Sequence, residues 1–278
     1  MPSQGEPLNR EDRRRIAREE VERYRAEGLP PRISFPAMYA HTAALRRFLE
    51  RRDEPARASR MAHAFYEGFE RSMAHGPRES RVACRAGCSM CCHNLILLTA
   101  PEVFAIADEV ARRPSATEDA AAIARAALAG KGLDRDARLE RRLACPLLAS
   151  DLCSIYAVRP IACRGFFSLS LEACQAVFEG QGEDVPAWRL AMIARGLHDR
   201  CMAAAIKAVG LPHGAVELTE ALTAALAAPD AQARWLAGED VFAAAAAEAD
   251  DDPQEELFLD VLIAGAAGKR VPENPWTE

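Results

Sequence analysis

Four cysteines fall within nine residues of each other in Cys84-Arg-Ala-Gly-Cys88-Ser-Met-Cys91-Cys92-His93, and no other feature limits so sharply what this chain can fold into. An apolar core has no use for that density of sulfur, whereas a soft cation does. Thiolate is the ligand form of cysteine, and soft sulfur selects zinc, Cu(I) or iron–sulfur clusters. The chain has nine cysteines, at 84, 88, 91, 92, 145, 153, 163, 174 and 201, with none before or after. The number is odd, and 278 residues are too many for a small disulfide-held scaffold. The opening Met-Pro-Ser-Gln-Gly-Glu-Pro lacks the basic and then apolar run of a signal peptide. The expectation is therefore a cytoplasmic chain with reduced, metal-binding thiols.

Two local geometries can gather the first cluster. At 100° per residue on a helix, Cys84, Cys88, Cys91 and Cys92 share one face; in a knuckle-like turn they also converge, and Gly87 permits either. The gap of two residues between Cys88 and Cys91 is common to zinc knuckles and iron–sulfur loops. A second cluster follows as Cys145-Pro146, then Cys153-Ser-Ile-Tyr156-Ala-Val-Arg159-Pro160-Ile-Ala-Cys163-Arg164. Pro146 and Pro160 stiffen the backbone around these sulfurs, and Arg159 and Arg164 bring positive charge toward a site that four thiolates would leave net negative. Cys174 and Cys201 are isolated, and a lone cysteine ordinarily serves as a small buried hydrophobe. His93, beside Cys92, and His198, one helical turn before Cys201, are further candidates; each also reads as an ordinary histidine near the site or on a helix.

The rest of the chain reads as helix. Asn9 is placed to cap a helix over 10–27, and helical periodicity covers about 37–76 with a break near Asp53-Glu54-Pro55. Leu95–Leu98 is a brief strand or a buried turn. Thr99-Ala-Pro-Glu102 is a capping box opening a helix to about Arg113, and Ser115 or Thr117 starts another that stops at Gly130-Lys-Gly132. Residues 143–170 look irregular, and helices resume at about 171–178, 186–209, 215–228, 231–248 and 254–264. The expected fold is mainly α, a helical protein around an irregular cysteine-rich metal-binding core with at most short strands. The formal charge of −6 makes nucleic acid a poor partner, because that binding runs on Lys and Arg neutralising phosphate. No run of about 18 apolar residues marks a membrane span.

The cysteine pattern resembles the YkgJ-like family of zinc- or iron-chelating proteins, a domain found also in flagellin lysine N-methylase. Its tight cluster ending in a Cys-Cys pair, its Cys-Pro and its Cys-x-Ile-Tyr-x-x-Arg-Pro-x-x-Cys-Arg correspond to Cys84 through Cys92, Cys145-Pro146 and Cys153 through Arg164. Cys174 and the run from Cys201 to Gly210-Leu-Pro212 are similar to the family's later cysteines. The resemblance covers about 80–212 and implies a metal-binding domain there, between a helical extension over 1–79 and a helical segment over 213–278. It also implies Cys84, Cys88, Cys91, Cys92, Cys145, Cys153, Cys163, Cys174 and Cys201 as the metal residues, with zinc or iron, including an iron–sulfur cluster, as cofactor. Three functions stay open on the sequence alone: metal binding as such, a metal-dependent enzyme of the lysine N-methylase kind, and an interaction scaffold with a structural zinc and an unidentified protein partner. No Gly-x-Gly-x-x-Gly follows a strand, which counts against a doubly wound methyltransferase.

Overall fold

Apolar residues recur at helical spacing from Phe35 onward, and each such stretch becomes a helix in the computed structural model, which describes residues 35–75, 82–182, 184–247, 253–269 and 271. The helix expected over 10–27 lies outside these residues. All nine cysteines lie in the compact unit Pro36–Glu278.

Helix α1 (Phe35–Glu50) buries Met38, Thr42, Leu45 and Leu49, one stripe along its length. Arg51 to Ala56 break the helix, and α2 (Arg57–His75) resumes with Met61, Ala62, Phe65 and Phe69 buried. Its first amides are capped from a distance: Ala58 and Ser59 N–H both donate to Gln232 Oε1 at 3.1 Å. Helix α3 (Ala100–Ala111) is the centre of the molecule, with Val103, Phe104, Ala105, Ile106 and Val110 inaccessible or nearly so, and it packs on α2. Helix α4 (Ala116–Gly130) follows, then a short α5 (Arg135–Glu140) capped by Asp134, whose side chain accepts from Ala137 N–H at 2.8 Å. The chain returns to helix with α6 (Ile161–Arg164), α7 (Leu171–Phe178), α8 (Arg189–Lys207), α9 (Leu218–Ala227), α10 (Ala231–Leu236) and α11 (Pro253–Ala266). Helix α9 lies on α3 and α4, and α8 on α2 and α11. Among the described residues, no helix is long and apolar enough to cross a membrane.

Two small antiparallel sheets complete the fold. β1 (Leu97–Leu98) pairs with β4 (Val216–Glu217), Leu97 opposite Glu217 and Leu98 opposite Val216. β2 (Leu148–Ala149) pairs with β3 (Leu152–Cys153) across the two-residue turn Ser150-Asp151. Both turn residues have positive φ, 50° and 61°, the hairpin geometry whose twist matches the strands.

Two expected helices are shorter than their periodicity suggests, and tertiary contacts account for both. The helix expected over 231–248 ends at Leu236, with Gly238 at φ 98° turning the chain away. Phe242 is thereby placed 5.3 Å from Phe104 in the core, and Ala246 bridges to Val216. The helix expected from 186 begins at Arg189, because Ala187 bridges to Ser168 and Trp188 N–H donates to Phe167 O at 2.8 Å.

Inside this frame α1 and α8 meet through a histidine pair. His198 Nδ1 lies 3.1 Å from His41 Nε2, and His198 Nε2 lies 2.9 Å from Ser72 Oγ, with Phe65 and Phe69 packed against the rings. Burial pushes both imidazoles below the ordinary histidine value, His41 to about 4 and His198 to about 3. A histidine lowered by folding contributes stability that is fully present above its unfolded pKa and is lost as pH falls toward the folded value. The protein should therefore lose on the order of 3 kcal/mol through His41 as pH falls from about 6.5 to 4. Thermal melts across that range should show the decline, and His41→Gln should flatten it.

Candidate metal centre

The first cysteine segment settles the choice between helix face and turn. Residues Ala86 and Gly87 form a turn with Gly87 at φ 81°, and a single 3-10 turn, Met90–His93, follows. Cys84 and Cys88 therefore precede any helical residue, and the sulfurs spread around a bend. Ser168 organises the near end of this bend. It accepts Ala83 N–H on its carbonyl at 2.8 Å and donates its own N–H to Cys84 Sγ at 3.2 Å. Cys174, on α7, donates its thiol to Ser168 Oγ at 3.1 Å, so one residue of 1% exposure ties Cys84 and Cys174 together.

The second cluster is stitched to the first by backbone. Cys145 N–H donates to Cys92 O at 2.8 Å, joining positions 53 residues apart (145 − 92). The β2–β3 hairpin carries Cys153, and its turn residue Asp151 accepts Ser89 Oγ–H at 2.7 Å. Pro160 leads into α6, the one-turn helix that carries Cys163. That helix is held by Glu102, which is fully buried. Glu102 Oε2 closes the Thr99 capping box, accepting Thr99 N–H and Oγ–H at 3.0 Å each, while Oε1 accepts Ile161 N–H at 2.9 Å.

Glu102 thus couples the central helix to the Cys163 turn. Three donors converge on its two oxygens, an arrangement that needs an acceptor-only group. A glutamine offers one acceptor and turns two N–H donors on the remaining partner. Glu102→Gln should cost about 1–3 kcal/mol, the penalty of a buried donor left unmatched, and should raise hydrogen exchange at Ile161 above that at Val110.

The thiols report each other's presence. Burial, and after it the charges of Cys145, Cys91 and Cys153, push the Cys163 thiol far up. Cys145 is pushed up to about 11, first by burial, with Cys153 adding to it. Cys91 is raised chiefly by its hydrogen bond with Cys92 and by burial, and Cys84 by burial with Cys91, Cys88 and Cys174 contributing. Cys91 is thus a neighbour of both Cys84, in the first cluster, and Cys163, in the second. Arg159 opposes the rise at Cys91 and at Cys163. Although protein surrounds them closely, Cys84, Cys91 and Cys163 are exposed by accessible area.

Among the described residues, no three His, Cys, Asp or Glu side chains already stand at the spacing of ligands to one ion. The donor set nevertheless fits a soft metal. Thiols whose mutual repulsion and burial hold them protonated become good ligands once a cation supplies the missing positive charge.

Other candidates stand elsewhere. Cys201 on α8 is 2% exposed, directs its thiol to Met38 O at 3.7 Å, and is pushed up to about 11 by burial, with Thr42 the only group acting against it. His198 belongs to the His41 pair. His93 uses Nδ1 on Ser89 O and Met90 O, at 3.2 and 3.3 Å, and packs on Phe178 at 4.9 Å, beside the first cluster. Arg164 pairs with Glu70, donates to Ala157 O at 2.6 Å and lies 4.6 Å over the Tyr66 ring. Sequence reasoning missed Ser168, Glu70 and the second grip of Glu102; only the capping box was legible, through one of the two oxygens.

Residues 83–179 match a family model, CxxCxxCC, described as "Putative zinc- or iron-chelating domain". The match takes in eight of the nine cysteines and ends before Cys201. No curated protein and no solved structure matches the chain.

Proposed function

Because residues 83–179 carry a domain of the zinc- or iron-chelating family, we propose that this protein binds zinc or iron through an all-sulfur centre in which Cys91, Cys145, Cys153 and Cys163 are the principal ligands. What supports this is the joining of the two cysteine segments by Cys145 N–H to Cys92 O at 2.8 Å and Ser89 Oγ–H to Asp151, with Cys163 within reach of the charges of Cys145, Cys91 and Cys153. Cys84, Cys88 and Cys174, gathered by Ser168 and sharing Cys91 as a neighbour, extend the donor set beyond the four that one structural zinc requires. That surplus, with the exposure of Cys84, Cys91 and Cys163, favours an iron–sulfur cluster or a second ion over a closed zinc knot. Arg159 balances the charge of the sulfurs. Cys201 stays outside the set. A reducing, cytoplasmic compartment follows from thiols kept free for metal.

Elemental analysis together with the visible absorption spectrum of anaerobically purified protein tests the reading. A brown protein with iron and acid-labile sulfide is expected, while a colourless protein with one zinc per chain selects the knot. Protein free of both metals after purification under metal-replete conditions overturns the proposal.

A further inference from the structure

A cleft of about 380 Å³ opens between α2 and the segment Arg159–Trp188. That volume falls within the usual range for small-molecule sites. Its walls are Phe69, Met73, Phe167 and Trp188, with the Phe167 and Trp188 rings edge to face at 5.7 Å. The two aromatic walls are held in register by the backbone bond from Trp188 N–H to Phe167 O, so the cleft is a built feature of the fold.

Charge at the cleft is unbalanced. Arg159 and Arg164 line it with a single carboxylate, Glu70. Glu70 is committed to Arg164, which is 6% exposed, and Arg164 still has a buried Nε without a partner. Arg159 has no carboxylate partner among the described residues. Its guanidinium lies 3.8 Å over the Tyr156 ring, and its Nε is also buried and unmatched. Arg159 thus lines the cleft with a guanidinium that no carboxylate neutralises among the described residues, and a carboxylate accepts two arginine N–H groups at once in the planar fork geometry.

We propose that this cleft binds a small organic acid with a flat apolar body, its carboxylate on Arg159 and its body between Phe69, Phe167 and Trp188. Inorganic phosphate satisfies the charge and leaves the aromatic walls empty. An amine meets net positive charge, because Glu70 is already paired. The inference concerns the cleft and does not rest on which ion the cysteines hold.

Three molecules of one shape and different charge make the test: phenylacetate, phenylacetamide and 2-phenylethylamine, with inorganic phosphate as a fourth probe. Each is titrated into the full-length protein as isolated, with calorimetry and tryptophan emission as readouts. Phenylacetate should saturate and quench emission, with the amide about tenfold weaker or more, and the amine and phosphate weaker still. Arg159→Gln should erase the preference for acid over amide, and Phe167→Ala should weaken acid and amide alike. Should Arg159→Gln fail to fold, the acid-over-amide ratio in the parent protein and the Phe167→Ala variant still decide the matter. Equal binding of acid and amide, preference for the amine or for phosphate, or no saturation by phenylacetate overturns the proposal. The metal content of the same preparation, measured alongside, keeps this outcome separate from the metal assignment.

Discussion

Stripping the metal with a chelator should release residues 82–98 and 141–170 to rapid hydrogen exchange while α3, α4, α8 and α9 stay protected. Those two segments contain two-residue strands, single 3-10 turns and a helix of four residues, and their buried apolar side chains are scattered singly, Leu98, Leu147, Ile155, Val158 and Ile161, with no long helix to support them. Single hydrogen bonds and ion pairs hold them to the body, among them Ile161 to Glu102, Arg113 to Ser154, Arg164 to Glu70, and Leu218 N–H to Ile96 O at 3.0 Å. A net bond of this kind contributes about 1 kcal/mol, whereas a structural zinc site contributes roughly 10–16 kcal/mol of binding energy that becomes folding energy. The central helices have a different source of stability. Phe104, Trp235 and Phe242 pack together, and Trp235 Nε1–H donates to Pro212 O at 3.2 Å. Each such buried aromatic is worth about 2 kcal/mol or more without any ion. Hydrogen exchange with mass detection on loaded and stripped protein checks this. Unchanged protection at Cys145, Leu148 and Ser154 after complete metal removal would show that the cysteines are not structural ligands.

The second large effect separates two cysteines that the family resemblance both implies as metal residues, Cys91 and Cys201. Cys91 has neighbours in both sulfur groups, so Cys91→Ser should remove most of the bound metal, more than loss of any single outlying cysteine such as Cys174. Cys201→Ala should leave metal content unchanged and lower stability by about 1–2 kcal/mol, because it deletes a buried sulfur packed between α1 and α8. Metal per chain and thermal midpoint, measured on both variants, distinguish the cases. Equal metal loss from both would place Cys201 in the centre after all and contradict the packing seen around it. Competition with protons adds a signature. Cys145 gives up its proton only near pH 11 without metal, so apparent affinity should climb with pH throughout the neutral range, by up to tenfold per unit for each thiol displaced.

Much of the fold follows from local rules, and local rules are what a sequence states openly. The stripe Met38, Thr42, Leu45, Leu49, the Thr99–Glu102 capping box and the Gly130 stop each depend on residues within a few positions of one another, so α1, α3 and α4 could be read in advance. The metal-binding character was equally legible, because thiols at that density have one chemical explanation. Tertiary structure decided the rest. It alone sets Cys145 on Cys92, gives Ser168 its hold on Cys84 and Cys174, and turns the second oxygen of Glu102 toward Ile161. It also separates Cys201 from its eight counterparts and leaves Arg159 unmatched at an aromatic cleft. The physical reason is one of range. Periodicity and caps are properties of neighbours along the chain, whereas a ligand's partner, a buried carboxylate's third donor and an arginine's missing acid depend on segments far apart in sequence, which only packing brings together.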